Sequence, residues 1–145
     1  MVASFGGIGF CPVAPGTAGS LVALVLGAGA MQGPAWLLPA LAVAATVAGF
    51  LAIPRAVKER GEDPGWVVID EVAGQWLALL GLGTATVPGL LAAFVLFRAL
   101  DITKPGPVGW ADRQHGAFGI MVDDVLAGAI AGSVLFGVRL VGGWG

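Results

Sequence analysis

Residues 17–53 have the sequence TAGSLVALVLGAGAMQGPAWLLPALAVAATVAGFLAI, in which no side chain is charged. The first Asp, Glu, Lys or Arg of the chain is Arg55, and residues 72–97 form a second uncharged stretch. A helix needs about 20 apolar residues to cross the hydrocarbon core of a bilayer. The chain before Arg55 therefore has room for two crossings. A buried soluble core would explain one such stretch better than two, so the pattern predicts a membrane protein.

The composition of the whole chain supports this prediction. Of its 145 residues, 57% are hydrophobic and 11% are charged, with a mean hydropathy of +0.92, whereas soluble domains carry roughly 25% charged residues. The length predicts one domain, a membrane-embedded unit of residues 1–145. A net charge of −2 and the lack of a basic run argue against nucleic acid as a partner. The single Cys11 has no disulfide partner and no metal-site spacing.

Glycine and proline residues divide the chain into five predicted helices. The segment 32–34, QGP, separates the first two helices, and Pro54 is expected to end the second. A loop is predicted for residues 102–119, which contain the PGP segment at 105–107. We therefore predict an all-α fold, a compact multi-spanning membrane helix bundle of about five helices. Their expected bounds are about 17–31, 36–53, 66–81, 90–100 and 120–141.

The basic residues predict the orientation of this bundle, because Lys and Arg accumulate in cytoplasmic loops. Six of the seven follow the second helix or surround the loop after the fourth, which five alternating crossings place on one side. That side is expected to face the cytoplasm, with Arg139 as the exception. The six residues are Arg55, Lys58, Arg60, Arg98, Lys104 and Arg113.

The same topology places six of the nine acidic residues on that side. Charged groups at membrane depth are costly and usually functional. Carboxylates this dense repel one another, and Mg²⁺, which prefers oxygen ligands, would relieve the repulsion. Acids at helix N-termini can simply complement the helix dipole, but this does not account for two adjacent pairs on separate helices and one acid at a helix C-terminus. The six are Asp70, Glu71, Asp101, Asp112, Asp123 and Asp124.

Small residues follow both acidic pairs at helical spacing. Gly74 follows Asp70-Glu71, and Gly128 follows Asp123-Asp124. In membrane helices, small residues three or four positions apart let two backbones approach closely. We therefore expect the third and fifth helices to hold both pairs around a common centre.

Basic and polar residues near the acids suggest a phosphate substrate. Arg98, Lys104 and Arg113 suit a phosphate, which Arg can bind with two hydrogen bonds, although the cytoplasmic bias alone would explain each of them. The Gly-rich segment PGTAGS before the first helix can offer backbone N–H groups to an anion, and it lacks the lysine spacing of a nucleotide P-loop. Its Thr17 and Ser20 are candidate substrate-binding residues.

Four short motifs follow one another along the chain. They are Pro15-Gly16-Thr17-x-Gly19-Ser20, Val68-Ile69-Asp70-Glu71-x-x-Gly74, Phe97-Arg98-x-x-Asp101-Ile102-x-Lys104-Pro105-x-Pro107 and His115-Gly116-x-x-Gly119-Ile120-Met121-x-Asp123-Asp124-x-x-Ala127-Gly128. Together they resemble the phosphatidylglycerophosphatase A family over most of the chain. The resemblance implies a helical, Mg²⁺-dependent enzyme at the cytoplasmic face of the bacterial inner membrane. Its substrate would be the phospholipid phosphatidylglycerophosphate, which loses its terminal phosphate to give phosphatidylglycerol and inorganic phosphate.

This activity suggests roles for the acidic residues. Asp70, Glu71, Asp123 and Asp124 are expected to hold one or two Mg²⁺ ions. Asp101 would be a further ligand or a supporting group, and these five form the predicted catalytic set. The sequence leaves open whether water attacks the phosphorus directly or an Asp forms a phospho-enzyme, and it leaves the oligomeric state open.

Several alternatives are also open at this stage. His115 has either a structural or surface role or donates a proton to the leaving group. A CDP-alcohol phosphotransferase is also helical and acidic, but its ordered D-G-x2-A-R-x8-G-x3-D-x3-D pattern is absent. A small divalent-cation transporter would line a path through the middle of the membrane with acids, whereas the acids here lie at helix ends on one side.

Overall fold

The computed structural model describes residues 1–60 and 65–142, and every regular element in them is helical. A single 3-10 turn at Ile8–Phe10 precedes the helices. The all-α prediction is confirmed, with five longer helices and one short one. In chain order they are α1 (Pro15–Ala30), α2 (Leu37–Arg60), α3 (Ile69–Leu79), α4 (Val87–Thr103), α5 (Pro107–Asp112) and α6 (Gly116–Gly142).

Helix α2 continues through Pro54, so the predicted end at residue 53 is wrong. A proline inside a helix removes one backbone hydrogen bond and crowds the preceding turn. Ile53 and Ala56, on either side of it, are both buried in the hydrophobic core. This packing holds the helix together across the proline.

Helix α3 begins at Ile69 and not near residue 66, because the N-terminal segment caps it. The backbone N–H groups of Val68 and Ile69 both donate to the carbonyl oxygen of Ala3, at 2.8 and 3.1 Å. These two hydrogen bonds satisfy backbone N–H groups that would otherwise have no partner at the helix N-terminus. The segment of residues 1–7 therefore fixes where α3 starts.

Helix α3 lies at the centre of the bundle and contacts α1, α2, α4 and α6. Its closest neighbour is α6, where glycines bring the two backbones together. A Cβ atom added to Gly74 would lie 2.6 Å from the carbonyl oxygen of Asp124, and one added to Gly128 would lie 2.7 Å from the Cα atom of Gly74. The predicted close approach of these two helices is confirmed.

Helix α1 packs against another side of α3. The indole N–H of Trp76 donates to the carbonyl oxygen of Ala23 at 2.8 Å, and Gly19 lies against Val68. This contact places the N-terminus of α1 beside the first turn of α3.

Two of the described helices are long and apolar enough to cross a membrane. They cover Leu37–Glu59 and Gly116–Gly142, and only a minority of their residues are fully buried, with large apolar side chains such as Val43, Leu51 and Phe136 exposed. Helix α3 has 11 residues, which at about 1.5 Å per residue span only half of a hydrocarbon core roughly 30 Å thick. The predicted topology counted this segment as one of five alternating membrane crossings, but a helix of this length alone is too short to cross the membrane.

Candidate active site

The predicted acids meet at one end of the bundle. Asp70 and Glu71 lie in the first turn of α3, Asp101 lies in the last turn of α4, and Asp123 and Asp124 lie on α6. The last pair was expected to open its helix, but α6 already begins at Gly116. The close contact of α3 with α6 brings the two acidic pairs together.

The carboxylates form two groups that share one residue. One oxygen from each of Asp70, Glu71 and Asp124 lies within 4.8 Å of the others, and the same holds for Asp101, Asp123 and Asp124. The predicted convergence is therefore confirmed. Either group could hold a metal ion, because three carboxylate oxygens at this separation can reach one cation between them.

Three of these oxygens are buried without a hydrogen-bond partner among the described residues. They are Asp70 Oδ1, Glu71 Oε2 and Asp124 Oδ2. By contrast, Asp123 Oδ1 accepts the backbone N–H of Asp124 at 2.9 Å. Burying an ionised carboxylate is costly unless it is paired or binds a metal. The three oxygens thus fit a hard divalent cation, which takes oxygen ligands.

A cavity of about 270 Å³ opens onto these acids. Its wall also contains residues from the end of α5 and the turn that follows it, among them Gln114, which was not a predicted site residue. Two residues in the sequence could have indicated this turn of the chain. Pro107 begins α5 and suits a first helical position, and Gly116 adopts a left-handed φ of 78°. The lining residues are Asp70, Glu71, Asp101, Lys104, Asp112, Gln114, His115, Gly116, Ile120, Asp123 and Asp124.

Lys104 is the basic residue that lines the cavity. It follows the end of α4 in a left-handed conformation, with φ of 48°. Its ammonium group pairs with Asp123, with Asp112 at 3.0 Å and with Asp101 at 3.9 Å. Burial lowers the pKa of Lys104, but hydrogen bonds to Asp123 and Asp112 outweigh this and raise the pKa above its usual value. The side chain therefore stays cationic at any physiological pH.

Arg98 lies behind the acids, outside the cavity wall. Its Nη1 pairs with the Asp101 carboxylate one helical turn further on, and its Nη2 lies 3.5 Å from the Thr17 hydroxyl oxygen. The N-terminus of α1 completes this corner. A Cβ atom added to Gly16 would lie 3.2 Å from Glu71 Cδ and 3.5 Å from Arg98 Nη1. Arg98 thus orients Asp101 and joins α4 to α1.

Comparison of the whole sequence with known proteins identifies the family of this chain. The family model described as Phosphatidylglycerophosphatase A matches residues 1–139. The chain belongs to this family. It is 39% identical over 133 residues to Phosphatidylglycerophosphatase A of Escherichia coli, covering 90% of this chain and 77% of the relative. With the protein of the same name from Haemophilus influenzae it shares 35% over 136 residues, covering 92% and 83%.

A third relative carries a different name. The chain is 40% identical over 134 residues to a Putative phosphatidylinositol-3-phosphatase of Bacteroides thetaiotaomicron, covering 84% of this chain and 81% of the relative. No solved structure matches the chain. The resemblance seen in the four motifs is confirmed, and membership of the Phosphatidylglycerophosphatase A family makes the chain a phosphatase.

Two residues expected to bind the substrate lie elsewhere in this family member. Ser20 is buried, and its hydroxyl donates to the carbonyl oxygen of Gly16 at 2.8 Å. Arg113 is exposed at the end of α5 and does not line the cavity. The roles assigned to these two residues stay predictions, as do the direct phosphate contacts of Arg98 and Thr17.

Proposed function

We propose that this protein hydrolyses the terminal phosphomonoester of phosphatidylglycerophosphate, with Mg²⁺, at the cytoplasmic face of a bacterial inner membrane. The products are phosphatidylglycerol and inorganic phosphate. Two relatives at 35–39% identity are named for this activity. The observation that carries the metal-dependent part of the proposal is the set of three buried, unpartnered carboxylate oxygens on residues that lie within 4.8 Å of one another.

Asp70, Glu71 and Asp124 would hold the first Mg²⁺ ion, and Asp101 and Asp123 would hold a second ion or support the first. When bound, Mg²⁺ offsets charge on the phosphoryl oxygens and lowers the pKa of a bound water. Separate support comes from the donor set, because it contains only carboxylate oxygens, which Mg²⁺ prefers to the nitrogen and sulfur ligands of transition metals.

Three residues at or beside the cavity would act on the phosphate or support the acids that face it. Lys104 lines the cavity and keeps its positive charge, so its ammonium group can donate to a phosphate oxygen that enters. Arg98 holds the Asp101 carboxylate in place from behind. His115 is exposed at the cavity wall, where it can donate a proton to the departing glycerol oxygen. Replacement of His115 by Asn separates this role from a surface role, because only a proton donor alters the pH dependence of turnover.

The bilayer would hold the substrate's acyl chains beside the exposed apolar faces of α2 and α6. Such continuous apolar surface is unusual on a soluble protein and suits contact with lipid. Lys104 lines the acidic cavity, and Gly49 of α2 packs against Ile69 and Met121 beside the acids, so Arg55 and Lys58 follow toward the same end of the bundle. This placement favours a cytoplasmic site.

Orientation is tested by labelling single cysteines in intact cells. In a Cys11→Ser background, Thr84→Cys in the exposed α3–α4 turn should react with a membrane-impermeant maleimide added outside the cells. Gln114→Cys at the cavity should react only after the membrane is opened. Labelling of Gln114→Cys from outside would refute the cytoplasmic placement.

The activity itself is tested with purified protein and phosphatidylglycerophosphate, with and without Mg²⁺, by measuring inorganic phosphate. Asp70→Asn should abolish phosphate release while the protein stays folded in detergent. Glu59→Gln, which changes an exposed acid at the end of α2, is the matched control and should retain full turnover. Near-normal turnover of Asp70→Asn would refute the assignment of the site, and cation flux without hydrolysis would favour a transporter.

The same assay should also be run with a second lipid phosphomonoester, because the Bacteroides thetaiotaomicron relative is named as a putative phosphatidylinositol-3-phosphatase. Phosphatidylinositol 3-phosphate should be hydrolysed much more slowly than phosphatidylglycerophosphate. A higher kcat/KM for the inositol lipid would replace the proposed substrate and leave the proposed metal site intact.

A further inference from the structure

Gln75 is a buried polar residue just behind the acidic cavity that none of the roles above uses. Its side chain has no solvent exposure, and neither Nε2 nor Oε1 has a hydrogen-bond partner among the described residues. Buried side-chain amides nearly always have partners. An amide that is fully enclosed on the central helix therefore calls for an explanation.

Two other buried side-chain atoms without partners have the complementary hydrogen-bonding character. They are Glu71 Oε2, an acceptor, and Arg98 Nε, a donor. Glu71 precedes Gln75 by four residues, so the two side chains are neighbours on one face of α3. Gln75 does not line the cavity, so it approaches Glu71 from the interior of the bundle.

Arg98 approaches the same place from α4. The helices meet at Gly74 and Phe97, where a Cβ atom added to Gly74 would lie 2.7 Å from Phe97 Cζ. Gln75 and Arg98 immediately follow these two residues. Glu71 and Arg98 also both flank Gly16 of α1, within 3.2 and 3.5 Å of its added Cβ atom. Gln75, one helical turn after Glu71, therefore lies next to this corner between α1, α3 and α4.

We propose that Gln75 is a positioning residue that joins Glu71 to Arg98. In this bridge, one buried water links Nε2 to the Glu71 carboxylate, and a second buried water links Oε1 to the Nε–H of Arg98. A carboxylate oxygen has two lone pairs, so Glu71 can accept this bond and still face a cation. Through Arg98 the same amide steadies Asp101. The inference rests on the proposed roles of Glu71 and Asp101 in the cavity.

The chemistry of the side chain accounts for its identity. Glutamine carries a donor and an acceptor at the end of one flexible chain, which matches one acceptor on α3 and one donor on α4. Glutamate would lose the donor and add a charge beside Glu71, and leucine or methionine would satisfy neither partner. Gln75→Leu and Gln75→Met are therefore both informative.

The test measures cation binding directly, with Mn²⁺ as a paramagnetic probe titrated into detergent-purified protein. Gln75→Leu and Gln75→Met should weaken Mn²⁺ binding about 10-fold, the lower end of the usual effect of losing a partner that orients a metal ligand. Leu79→Ala, another fully buried change on α3, is the control and should lower thermal stability without changing Mn²⁺ affinity. Unchanged affinity in folded Gln75 variants would overturn the proposal.

A double-mutant cycle separates positioning from a general effect on the fold. Arg98→Lys keeps the charge but removes Nε. If Gln75 acts through Arg98, Gln75→Leu should reduce kcat/KM much less in the Arg98→Lys background than in the wild type. Leu79→Ala should reduce it equally in both. Additive effects of Gln75→Leu and Arg98→Lys would contradict the proposed bridge.

A measurement on the wild-type side chain does not depend on whether the Gln75 variants fold. The chain has three glutamines, Gln32, Gln75 and Gln114, so the signals lost from ¹⁵N-glutamine spectra of Gln32→Glu and Gln114→Glu assign two side-chain amides and leave the third as the Gln75 resonance of the wild-type protein. Addition of Mg²⁺ should shift that resonance, and an unshifted resonance would refute the link to the cavity. Asp70→Asn and Asp124→Asn calibrate the result. If they too leave Mn²⁺ binding unchanged, the metal site itself is wrong; if only the Gln75 variants do, the bridge alone fails.

Discussion

The two ends of the α3–α6 interface are built alike but carry very different side chains. Near the cavity, Gly74 and Gly128 bring the backbones together, and further along Gly81 and Gly132 do the same. Six carboxylates gather at the first end. At the other end, the charged side chain that the structure describes is Arg139, which lies against Gly83. Close helix packing is thus a shared scaffold, and the chemistry depends on which side chains the scaffold brings together.

The largest effect should come from removing the carboxylate that both acidic groups share. Asp124→Asn takes one ligand oxygen from each group, so turnover should fall by more than the roughly 100-fold that the loss of an outer partner of a metal site can cost. Arg139→Met at the other end should leave turnover unchanged. Phosphate release per folded molecule measures both. Comparable losses in the two variants would show that the two ends do not differ in function.

Lys104→Met should have the next largest effect, through the phosphate. A hydrogen bond to a charged group is worth about 1.5–3 kcal/mol, so KM should rise roughly 10- to 100-fold. Because the folded-state pKa of Lys104 is raised, its contribution to stability is complete below the unfolded value of about 10.4 and is lost only as pH rises above it. The difference in thermal stability between wild type and Lys104→Met should therefore be constant from pH 6 to about pH 9. A difference that shrinks within this range would contradict the pairing described for Lys104.

Adding a methyl group at each end of the interface sharpens the comparison. The Cβ atom of Gly128→Ala would lie 2.7 Å from the Cα atom of Gly74, and that of Gly132→Ala would lie 2.6 Å from the Leu77 carbonyl oxygen. Both changes should lower the free energy of unfolding by about 1–3 kcal/mol, the usual effect of overpacking. Only Gly128→Ala should also reduce turnover of the folded fraction, because it separates the acidic pairs. Equal turnover of the two folded variants would show that the site tolerates this separation.

Trp76→Phe should have the smallest effect. It removes the hydrogen bond to Ala23 that joins α1 to α3, worth about 1 kcal/mol. Thermal unfolding in detergent should begin a few degrees lower, with kcat nearly unchanged. A large loss of kcat would mean that the N-terminus of α1 takes a direct part in the reaction.

The sequence predicted the convergence of the carboxylates better than it predicted the helix bounds. Asp70, Glu71, Asp123 and Asp124 were expected to converge because helix-end position and the spacing to small residues are both local features. The passage of α2 through Pro54 depends on tertiary burial of Ile53 and Ala56, and the start of α3 depends on the distant carbonyl group of Ala3.

The rest of the site depends on how the chain packs in three dimensions. Gln114 reaches the cavity only because α5 and the left-handed Gly116 turn the chain back toward it. The burial of Gln75 among unpartnered atoms follows from the packing of three helices, and no residue near it in the sequence marks that position. Ser20 and Arg113 share a motif or a loop with residues of the cavity region, but neither lines the cavity.

The left-handed backbone of Lys104 has a consequence for engineering this enzyme. This residue ends α4, and its ammonium group pairs with three carboxylates, so one position has both a backbone role and a charge role. Glycine or asparagine would adopt this backbone conformation with less strain, yet both would remove the ammonium group. Arginine would keep a positive charge but would leave the backbone strain in place. Libraries screened only for thermal stability should therefore select replacements at this position that lack the ammonium group and lower the activity. Such screens should keep Lys104 unchanged.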